Sequence, residues 1–166
     1  MQRTAVLAPI VQRAEPMLVL IRRADRGDPW SNHIAFPGGH IEEADTSDLA
    51  AAFRETGEEL GVGQDDIAYL GSLGHFPVQT LTVDLHAFVG FWNGQGGIRP
   101  DPAEVARVYE VALSDLLEQN HSLGWAGRTA AQLGRRLEYR LEDAVAWGVT
   151  ARIIHRLLEV IGPVLE

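Results

Sequence analysis

The sequence predicts an α/β fold in which helices pack on the faces of a mixed β-sheet. Two apolar segments with strand character, residues 4–11 and 17–21, come first. An amphipathic helix pattern follows at residues 47–60, and further strands separate it from a C-terminal helix pattern at residues 147–161. Strands that both precede and follow a helix in this order are typical of a sandwich in which helices cover a sheet.

Turn and capping residues divide the first half of the chain. Gly and Pro cluster between the apolar segments, where the backbone has to turn. Thr46 or Ser47 can cap the N-terminus of the central helix, and Gly61 can end it because glycine readily adopts the left-handed conformation. The predicted segments are strands at 4–11, 17–21 and 33–36, a turn at 14–16, a polar loop at 22–32, an end to the third strand at Pro37-Gly38-Gly39, and a helix at 47–60.

The second half continues with strands and helices. Apolar residues predict two long strands, and a segment rich in Gly and Pro separates them from the elements that follow. The predicted segments are strands at 67–76, 81–92, 105–111 and 137–141, a loop at 93–102, and helices at 113–119 and 147–161. No repeat or linker interrupts residues 1–166, so we expect a single domain.

Composition excludes several classes of chemistry. Cysteine is absent and all 14 basic residues are arginine, which rules out disulfides, thiol nucleophiles, cysteine-ligated zinc and catalytic lysine. The formal net charge of −9 opposes binding to DNA or RNA, because such binding depends on neutralising phosphates. No apolar run reaches the roughly 20 residues that span a bilayer, and residues 1–11 do not resemble an export signal. We therefore expect a cytoplasmic protein that binds neither nucleic acid nor membrane.

The helix predicted at residues 47–60 has two different faces. At about 100° per residue, its apolar residues fall on one side and can dock on a sheet. These residues are Leu49, Phe53, Thr56 and Leu60. Charged residues fall on the opposite side, within an arc of roughly 140°. These residues are Arg54, Glu55, Glu58 and Glu59.

The three glutamates on this face are spaced i, i+3 and i+4. Like charges at such spacings destabilise an isolated helix by about 0.2–0.5 kcal/mol per pair, and Arg54 offsets only part of the repulsion. A hard divalent cation would use the same carboxylates as oxygen ligands, bridge to a phosphate and lower the pKa of a water. The alternative is an acidic helix face exposed to solvent, which is the commoner use of this pattern.

The wider neighbourhood resembles the signature of the Nudix hydrolase family. That signature has Gly, five residues, Glu, seven residues, Arg-Glu, an apolar residue, any residue, Glu-Glu, any residue, Gly and an apolar residue. Its second half is matched by Arg54-Glu55-Thr56-Gly57-Glu58-Glu59-Leu60-Gly61-Val62. Thr56 stands where an aliphatic residue is usual, and Gly57 weakens the helix by up to about 1 kcal/mol relative to Ala.

The first half is similar to the coenzyme A diphosphatase branch of that family. Asp45 replaces the usual Glu six residues after Gly39, and one extra residue separates it from Arg54. The resemblance extends to residues 34–39, 104–105, 108–113 and 147–151. It implies a Nudix-type α/β/α sandwich with a mixed β-sheet over residues 1–166, and hydrolysis of a diphosphate linkage with Mg²⁺ or Mn²⁺.

The resemblance also implies which residues hold the metal. Glu55, Glu58 and Glu59 would be ligands, with the carbonyl of Gly39 as an addition. Arg54 would hold a neighbouring glutamate towards the metal without binding it.

Other catalytic and substrate contacts are implied in the same way. Arg54, Glu55, Glu59 and Glu104 form the expected catalytic set, and both Glu59 and Glu104 are candidates for the general base. Arg23 would grip a substrate phosphate. Gly38 and Gly39, the other expected substrate contacts, would permit a tight loop over the N-terminus of the helix. The alternatives are an exposed loop acid for Glu104, a solvated loop arginine for Arg23, and a loop or helix-start acid for Asp45.

The substrate is less well defined than the reaction. The branch's upstream signature has Thr, Ser, Arg and Gly where this chain has Ile21, Ala24, Asp28 and Asn32. Asp28 reverses the charge where a phosphate is expected. Coenzyme A is therefore the leading candidate, beside dinucleotides, nucleotide sugars and nucleoside di- or triphosphates. A binding or sensing domain without hydrolysis and a metal-free acidic domain are the alternatives from other classes, and the three retained glutamates argue against the first.

The remaining polar and aromatic residues form no motif along the chain. The six histidines show no metal-ligand spacing. Trp30 and Trp147 have the size to stack on a base, although packing in the core or a loop is the simpler account. A homodimer is common in the family, but the sequence specifies no interface.

Overall fold

A seven-stranded mixed sheet forms the centre of the computed structural model, which describes residues 2–78 and 82–165. In chain order its strands are β1 (Gln2–Gln12), β2 (Pro16–Arg23), β3 (Ile34–Ala35), β4 (Gly38–His40), β5 (Ile67–Val78), β6 (Val83–Trp92) and β7 (Val105–Ala112). The strand order is β3-β2-β1-β6-β5, with β4 also paired to β1 and β7 also paired to β2. β1 and β6 run parallel, and the other pairs are antiparallel.

Four helices and a small hairpin surround this sheet. The helices are α1 (Asp48–Leu60), α2 (Leu113–Ser122), α3 (Ala130–Leu133) and α4 (Gly148–Leu165). The hairpin consists of β8 (Glu138–Arg140) and β9 (Val145–Trp147), and short 3-10 turns occupy Gln64–Asp66 and Gly134–Arg136. Among the described residues, no helix has the length and apolar character needed to cross a bilayer.

Both faces of the sheet are covered. The central strand β1 contributes alternate residues to two separate hydrophobic clusters, as the two-residue period of a strand requires. Val6, Ala8 and Ile10 pack in the cluster that contains α2 and α4, whereas Ala5, Leu7 and Val11 pack in the cluster that contains α1. This arrangement confirms the predicted α/β fold with helices on a mixed sheet.

The boundaries of α1 follow from its capping residues. The Ser47 side chain accepts a hydrogen bond from the Ala50 N–H at 3.0 Å, and Gly61 ends the helix in the left-handed conformation with φ of 71°. Thr56 is fully buried in the docking stripe, where its hydroxyl donates to the Ala52 carbonyl at 2.8 Å. That bond explains how a polar residue occupies a position where an aliphatic residue is expected.

The third strand ends at Ala35, before Pro37 as expected, but the structure corrects the expected tight loop at Gly38 and Gly39. Gly38–His40 is itself strand β4, with Val6 opposite Gly38 and Ala5 opposite Gly39 on β1. A Cβ on Gly38 would lie 2.3 Å from the Ala5 carbonyl oxygen, so the glycine permits close strand contact instead of a turn.

Other boundaries differ by less. Trp147 belongs to β9, and the C-terminal helix begins one residue later than expected and extends to Leu165. Strand β9 and helix α3 were not predicted, because three- and four-residue elements carry too little periodicity to read. Residue 81, the expected start of β6, lies outside the described residues.

Candidate active site

Three carboxylates meet beside β4 at the edge of a cleft. Glu55 and Glu59 lie one turn apart on α1, and Glu104 directly precedes β7. One carboxylate oxygen of each lies within 4.8 Å of the others. The loop that carries Glu104 is held in place by backbone bonds, from the Asp101 N–H to the Glu59 carbonyl and from the Ala24 N–H to the Glu104 carbonyl, both 2.9 Å.

Glu59 is the most deeply buried of these acids. Its exposed fraction is 2%, and its Oε1 accepts a hydrogen bond from the Gly38 N–H at 2.7 Å. Burial raises the pKa of Glu59 to about 8, and the negative charges of Glu55 and Glu104 contribute to this rise. The hydrogen bond from the Gly38 N–H acts in the opposite direction. In the absence of a cation, this carboxyl therefore holds a proton at neutral pH.

Burial also raises the pKa of Glu55, whose side chain is 15% exposed, while the neighbouring Arg54 opposes that rise. Two acids of the cluster, Glu55 and Glu59, therefore have raised pKa values in the absence of a cation. Hard divalent cations prefer oxygen ligands, and a bound cation stabilises the ionised form of such acids. The donor set therefore fits a cation of the Mg²⁺ or Mn²⁺ type.

Arg54 connects this cluster to a fourth acid, Asp45. Its guanidinium donates to both Asp45 oxygens, at 2.9 and 3.0 Å, and to Glu55 Oε1 at 3.0 Å. Arg54 also donates to the His40 carbonyl at 3.2 Å. The Asp45 side chain is only 7% exposed, and the Arg54 bond lowers the pKa of Asp45.

Sequence reasoning underestimated Asp45. Its nine-residue separation from Arg54 matches no helical spacing, so only the lengthened signature singled it out. In the structure it anchors the arginine that contacts the Glu55 carboxylate.

The two glycines of β4 allow the backbone to approach these acids. A Cβ on Gly39 would lie 2.6 Å from the Glu55 carboxyl carbon, which is closer than any tolerated contact. Gly38 meanwhile directs its N–H at Glu59. Glycine is thus required at residue 38, where β4 pairs with β1, whereas a side chain at residue 39 would displace the end of the Glu55 side chain.

The structure places the other predicted residues around this cluster. Glu58 is not among the three clustered acids; its side chain is 51% exposed and contacts Arg54 Nη1 at 3.3 Å. Arg23 ends β2 and lines the cleft, and its charge partly opposes the rise that burial causes in the pKa of Glu59. Every predicted site residue thus lies at or beside one cleft.

Aromatic and basic side chains line the remainder of that cleft. Trp147 lies with its ring centroid 5.1 Å from that of His33, which in turn is 6.0 Å from Trp30. Trp147 does not lie in the core, since 57% of its surface is exposed; of the two expected kinds of packing, core or loop, its contact with His33 is the second. Arg26 and Arg135 also line the cleft.

Comparison with known proteins agrees with this geometry. A family model described as the NUDIX domain matches residues 1–131, well over half of the 166 residues. The chain belongs to the Nudix hydrolase family. It is an enzyme of this family, whose members use a divalent metal ion to cleave diphosphate linkages in nucleotide-like substrates.

Curated Nudix relatives cover nearly the whole chain. An uncharacterized Nudix hydrolase NudL from Photorhabdus laumondii is 34% identical over 161 residues, which is 95% of this chain and 84% of the relative. The protein of the same description from Escherichia coli O6:H1 is 33% identical and covers 97% of this chain and 83% of the relative.

Solved structures of other Nudix proteins share the fold. An Ap4A hydrolase from Caenorhabditis elegans superimposes with a TM-score of 0.66 at 12% identity, over 98% of this chain and 99% of its own. The NUDIX domain of Shewanella oneidensis NrtR, crystallised with ADP ribose, gives a TM-score of 0.55 at 18% identity over 74% of this chain and 82% of its own. At these identities the likeness establishes the fold alone.

Proposed function

We propose that this Nudix hydrolase cleaves the diphosphate linkage of coenzyme A or a closely related nucleoside diphosphate derivative, with Mg²⁺ or Mn²⁺. The observation that carries the proposal is the convergence of Glu55, Glu59 and Glu104 within 4.8 Å, in a cleft that arginines also line. Clustered carboxylates suit a cation, and guanidinium groups suit phosphate oxygens. The proposed domain comprises residues 1–166, since α4 packs on β5 of the same sheet.

In this proposal Glu55, Glu58 and Glu59 hold the cation, together with the Gly39 carbonyl. Glu58 lies outside the tight cluster, but it shares Arg54 Nη1 with Glu55, at 3.3 and 3.0 Å, and is therefore adjacent to it. Arg54 positions Glu55 and is itself fixed by Asp45. When bound, the cation supplies positive charge that offsets the diphosphate oxygens and lowers the pKa of a water.

Glu104 is the proposed general base. Glu59 is almost completely buried and its Oε1 is occupied by the Gly38 N–H, so a water in the cleft has poor access to it. Glu104 is half-buried and lines the cleft. It accepts a proton from the attacking water while a phosphorus–oxygen bond forms and the bond to the bridging oxygen breaks.

Arg23 is the proposed contact for substrate phosphate. It lines the cleft at the end of β2, and its charge acts on Glu59, so it faces the same space as the carboxylates. Gly39 keeps the space beside the Glu55 carboxyl free of side-chain atoms, and Gly38 allows the close strand pairing that holds β4 next to it.

The cleft composition supports coenzyme A among the candidate substrates. The cleft that holds the carboxylates also includes Arg135 and the exposed face of Trp147. An aromatic face stacks with a purine, and a guanidinium pairs with a phosphate. Coenzyme A presents an adenine, a phosphate beyond the diphosphate, and a long arm of low charge, so it would use each of these surfaces.

Two departures from the upstream signature affect this proposal differently. Asn32 stands where the signature has Gly, and it has a left-handed φ of 65°. Asn tolerates this conformation better than most residues, so the backbone conformation that suits glycine is kept. Asp28 accepts hydrogen bonds from the Trp30 N–H at 2.9 Å and the Ser31 hydroxyl at 3.1 Å. It therefore stabilises its own loop, and Arg23 and Arg26 supply the positive charge near that loop.

The experiment is a substrate panel assayed with Mg²⁺ and Mn²⁺. It comprises coenzyme A, dephospho-coenzyme A, ADP-ribose, Ap4A, a nucleotide sugar and ATP. We expect kcat/KM for coenzyme A to exceed the others by at least about 10-fold, because a hydrogen bond to a charged group contributes about 1.5–3 kcal/mol. Chromatography should show one cleavage, which yields adenosine 3′,5′-bisphosphate and the phosphorylated arm.

Matched variants separate the reaction from the substrate. Glu104→Gln should lower kcat by about 100-fold or more with each substrate, because it removes the base. Arg135→Gln should raise KM for coenzyme A and leave KM for dephospho-coenzyme A unchanged, because only coenzyme A carries the phosphate beyond the diphosphate. A higher kcat/KM for ADP-ribose or Ap4A than for coenzyme A would contradict the assignment of coenzyme A as substrate. Undiminished turnover by Glu104→Gln would contradict the assignment of Glu104 as general base.

A further inference from the structure

A pair of histidines faces the sheet surface next to the first turn of α1. His75 on β5 and His86 on β6 are directly opposite in the antiparallel register. Their ring centroids lie 4.1 Å apart, with the rings stacked. Side chains directly opposite in such a pair share one face of the sheet and lie close enough to bind one ion together.

A carboxylate from α1 completes the group. Asp48 Oδ2 lies 3.0 Å from His86 Nδ1, and a ligand atom from each of Asp48, His75 and His86 lies within 4.8 Å of the others. In the tetrahedral arrangement that Zn²⁺ prefers, two ligands bound at about 2.0–2.1 Å lie roughly 3.3 Å apart. The 3.0 Å contact is a hydrogen bond in this structure, and a shift of a few tenths of an ångström would give the separation that a shared ion needs.

Outer partners fix the second nitrogen of each ring. His75 Nδ1 lies 2.9 Å from Asp84 Oδ2, and His86 Nε2 lies 2.8 Å from the Ser72 hydroxyl. Metal-binding histidines commonly donate their second N–H to such oxygens, which sets the tautomer and the ring orientation. Nε2 of His75 is then the ring nitrogen that faces an ion, whereas Nδ1 of His86 would exchange its hydrogen bond with Asp48 Oδ2 for the ion.

We propose that Asp48, His75 and His86 form a second metal site, which takes a transition-metal ion of the Zn²⁺ type. Imidazole suits Zn²⁺, Co²⁺ and Ni²⁺, whereas Mg²⁺ prefers sites composed of oxygen alone. Water completes the coordination, because the His75 side chain is 53% exposed. The site is chemically distinct from the cluster of Glu55, Glu59 and Glu104.

The position of Asp48 gives this site a structural consequence. Asp48 lies in the first turn of α1, the helix that also carries the catalytic glutamates, whereas the histidines lie on β5 and β6. An ion bound here joins the start of α1 to the sheet. Because it binds the folded chain alone, it should raise the stability of the protein.

The test is calorimetric titration of the full chain with Zn²⁺ in the presence of excess Mg²⁺, with thermal unfolding measured in parallel. We expect one Zn²⁺ equivalent that raises the Tm. Asp84→Asn removes an outer partner of His75 and should weaken Zn²⁺ binding by about 10- to 100-fold. His75→Gln removes a ligand itself and should weaken Zn²⁺ binding by at least about 10-fold. His75 is exposed, so its replacement leaves the fold intact.

Two controls assign the binding. His121→Gln replaces an exposed histidine on α2 and should leave Zn²⁺ affinity unchanged, as should Glu55→Gln, which removes a ligand from the other cluster. Equal Zn²⁺ affinity in the parent and His75→Gln would overturn the proposal. So would loss of the Zn²⁺ equivalent in Glu55→Gln, because the ion would then belong to the glutamate cluster.

Discussion

Glu59→Gln replaces a buried carboxyl with an amide of nearly the same shape. The amide oxygen can still accept the Gly38 N–H, so the local contact at 2.7 Å is retained. The substitution removes both the titration of Glu59 and its negative charge. It should therefore alter the pH dependence of stability and the activity, while it preserves the fold.

The size of the expected change in the free energy of unfolding follows from the pKa of Glu59. An ordinary glutamate pKa is 4.5, whereas burial raises that of folded, metal-free Glu59 to about 8. Between these values the folded state holds one proton more than the unfolded state, so stability falls by roughly 1 kcal/mol per pH unit as the pH rises. The contribution is complete below about pH 4.5 and lost above about pH 8. The glutamine variant has no such slope.

Urea unfolding at pH 5, 6, 7 and 8, with metal removed by chelation, measures this effect. The parent should lose stability relative to Glu59→Gln across the series, and added Mg²⁺ should reduce the difference because it favours the ionised carboxylates. Glu43→Gln, at an exposed loop residue, controls for the substitution itself. Turnover of Glu59→Gln should fall by at least 100-fold. Parallel stability profiles of the parent and Glu59→Gln would refute the assigned burial effect.

Three further substitutions test other contacts. Asp45→Asn weakens the paired bonds to Arg54 and should lower the urea midpoint of unfolding, with a fall in kcat larger than any change in KM. Gly57→Ala should stabilise α1 by up to about 1 kcal/mol in the same assay, since the new Cβ meets only the Val62 carbonyl at 3.8 Å; a destabilised variant would contradict this. Gly39→Ala should lower kcat on the order of 100-fold, because its Cβ would displace the Glu55 carboxyl. Normal kcat in Gly39→Ala would show that this close approach is unimportant.

Local features were predictable because they depend on residues close together in the chain. The Ser47 cap, the Gly61 end and the buried stripe of α1 each follow from contacts within one or two helical turns. The long strands were predictable for the same reason, since apolar runs bounded by turns specify them.

The environment of each acid was not predictable in this way. Glu58 and Glu59 are adjacent on the same helical face, yet Glu58 is half exposed and Glu59 is almost completely buried. The difference arises because β4 and the loop before β7 cover Glu59. Those segments reach it through strand pairing with β1 and β2, which no local pattern specifies.

The histidine pair illustrates the same limit. His75 and His86 show no ligand spacing along the chain, but the register of β5 and β6 places them opposite one another. The sequence by itself determined the long helices, the long strands and the run of glutamates, because short-range propensity and periodicity encode them. Only the tertiary structure decided which acids are buried together and which histidines meet, because long-range strand register brings distant residues into contact and removes them from water.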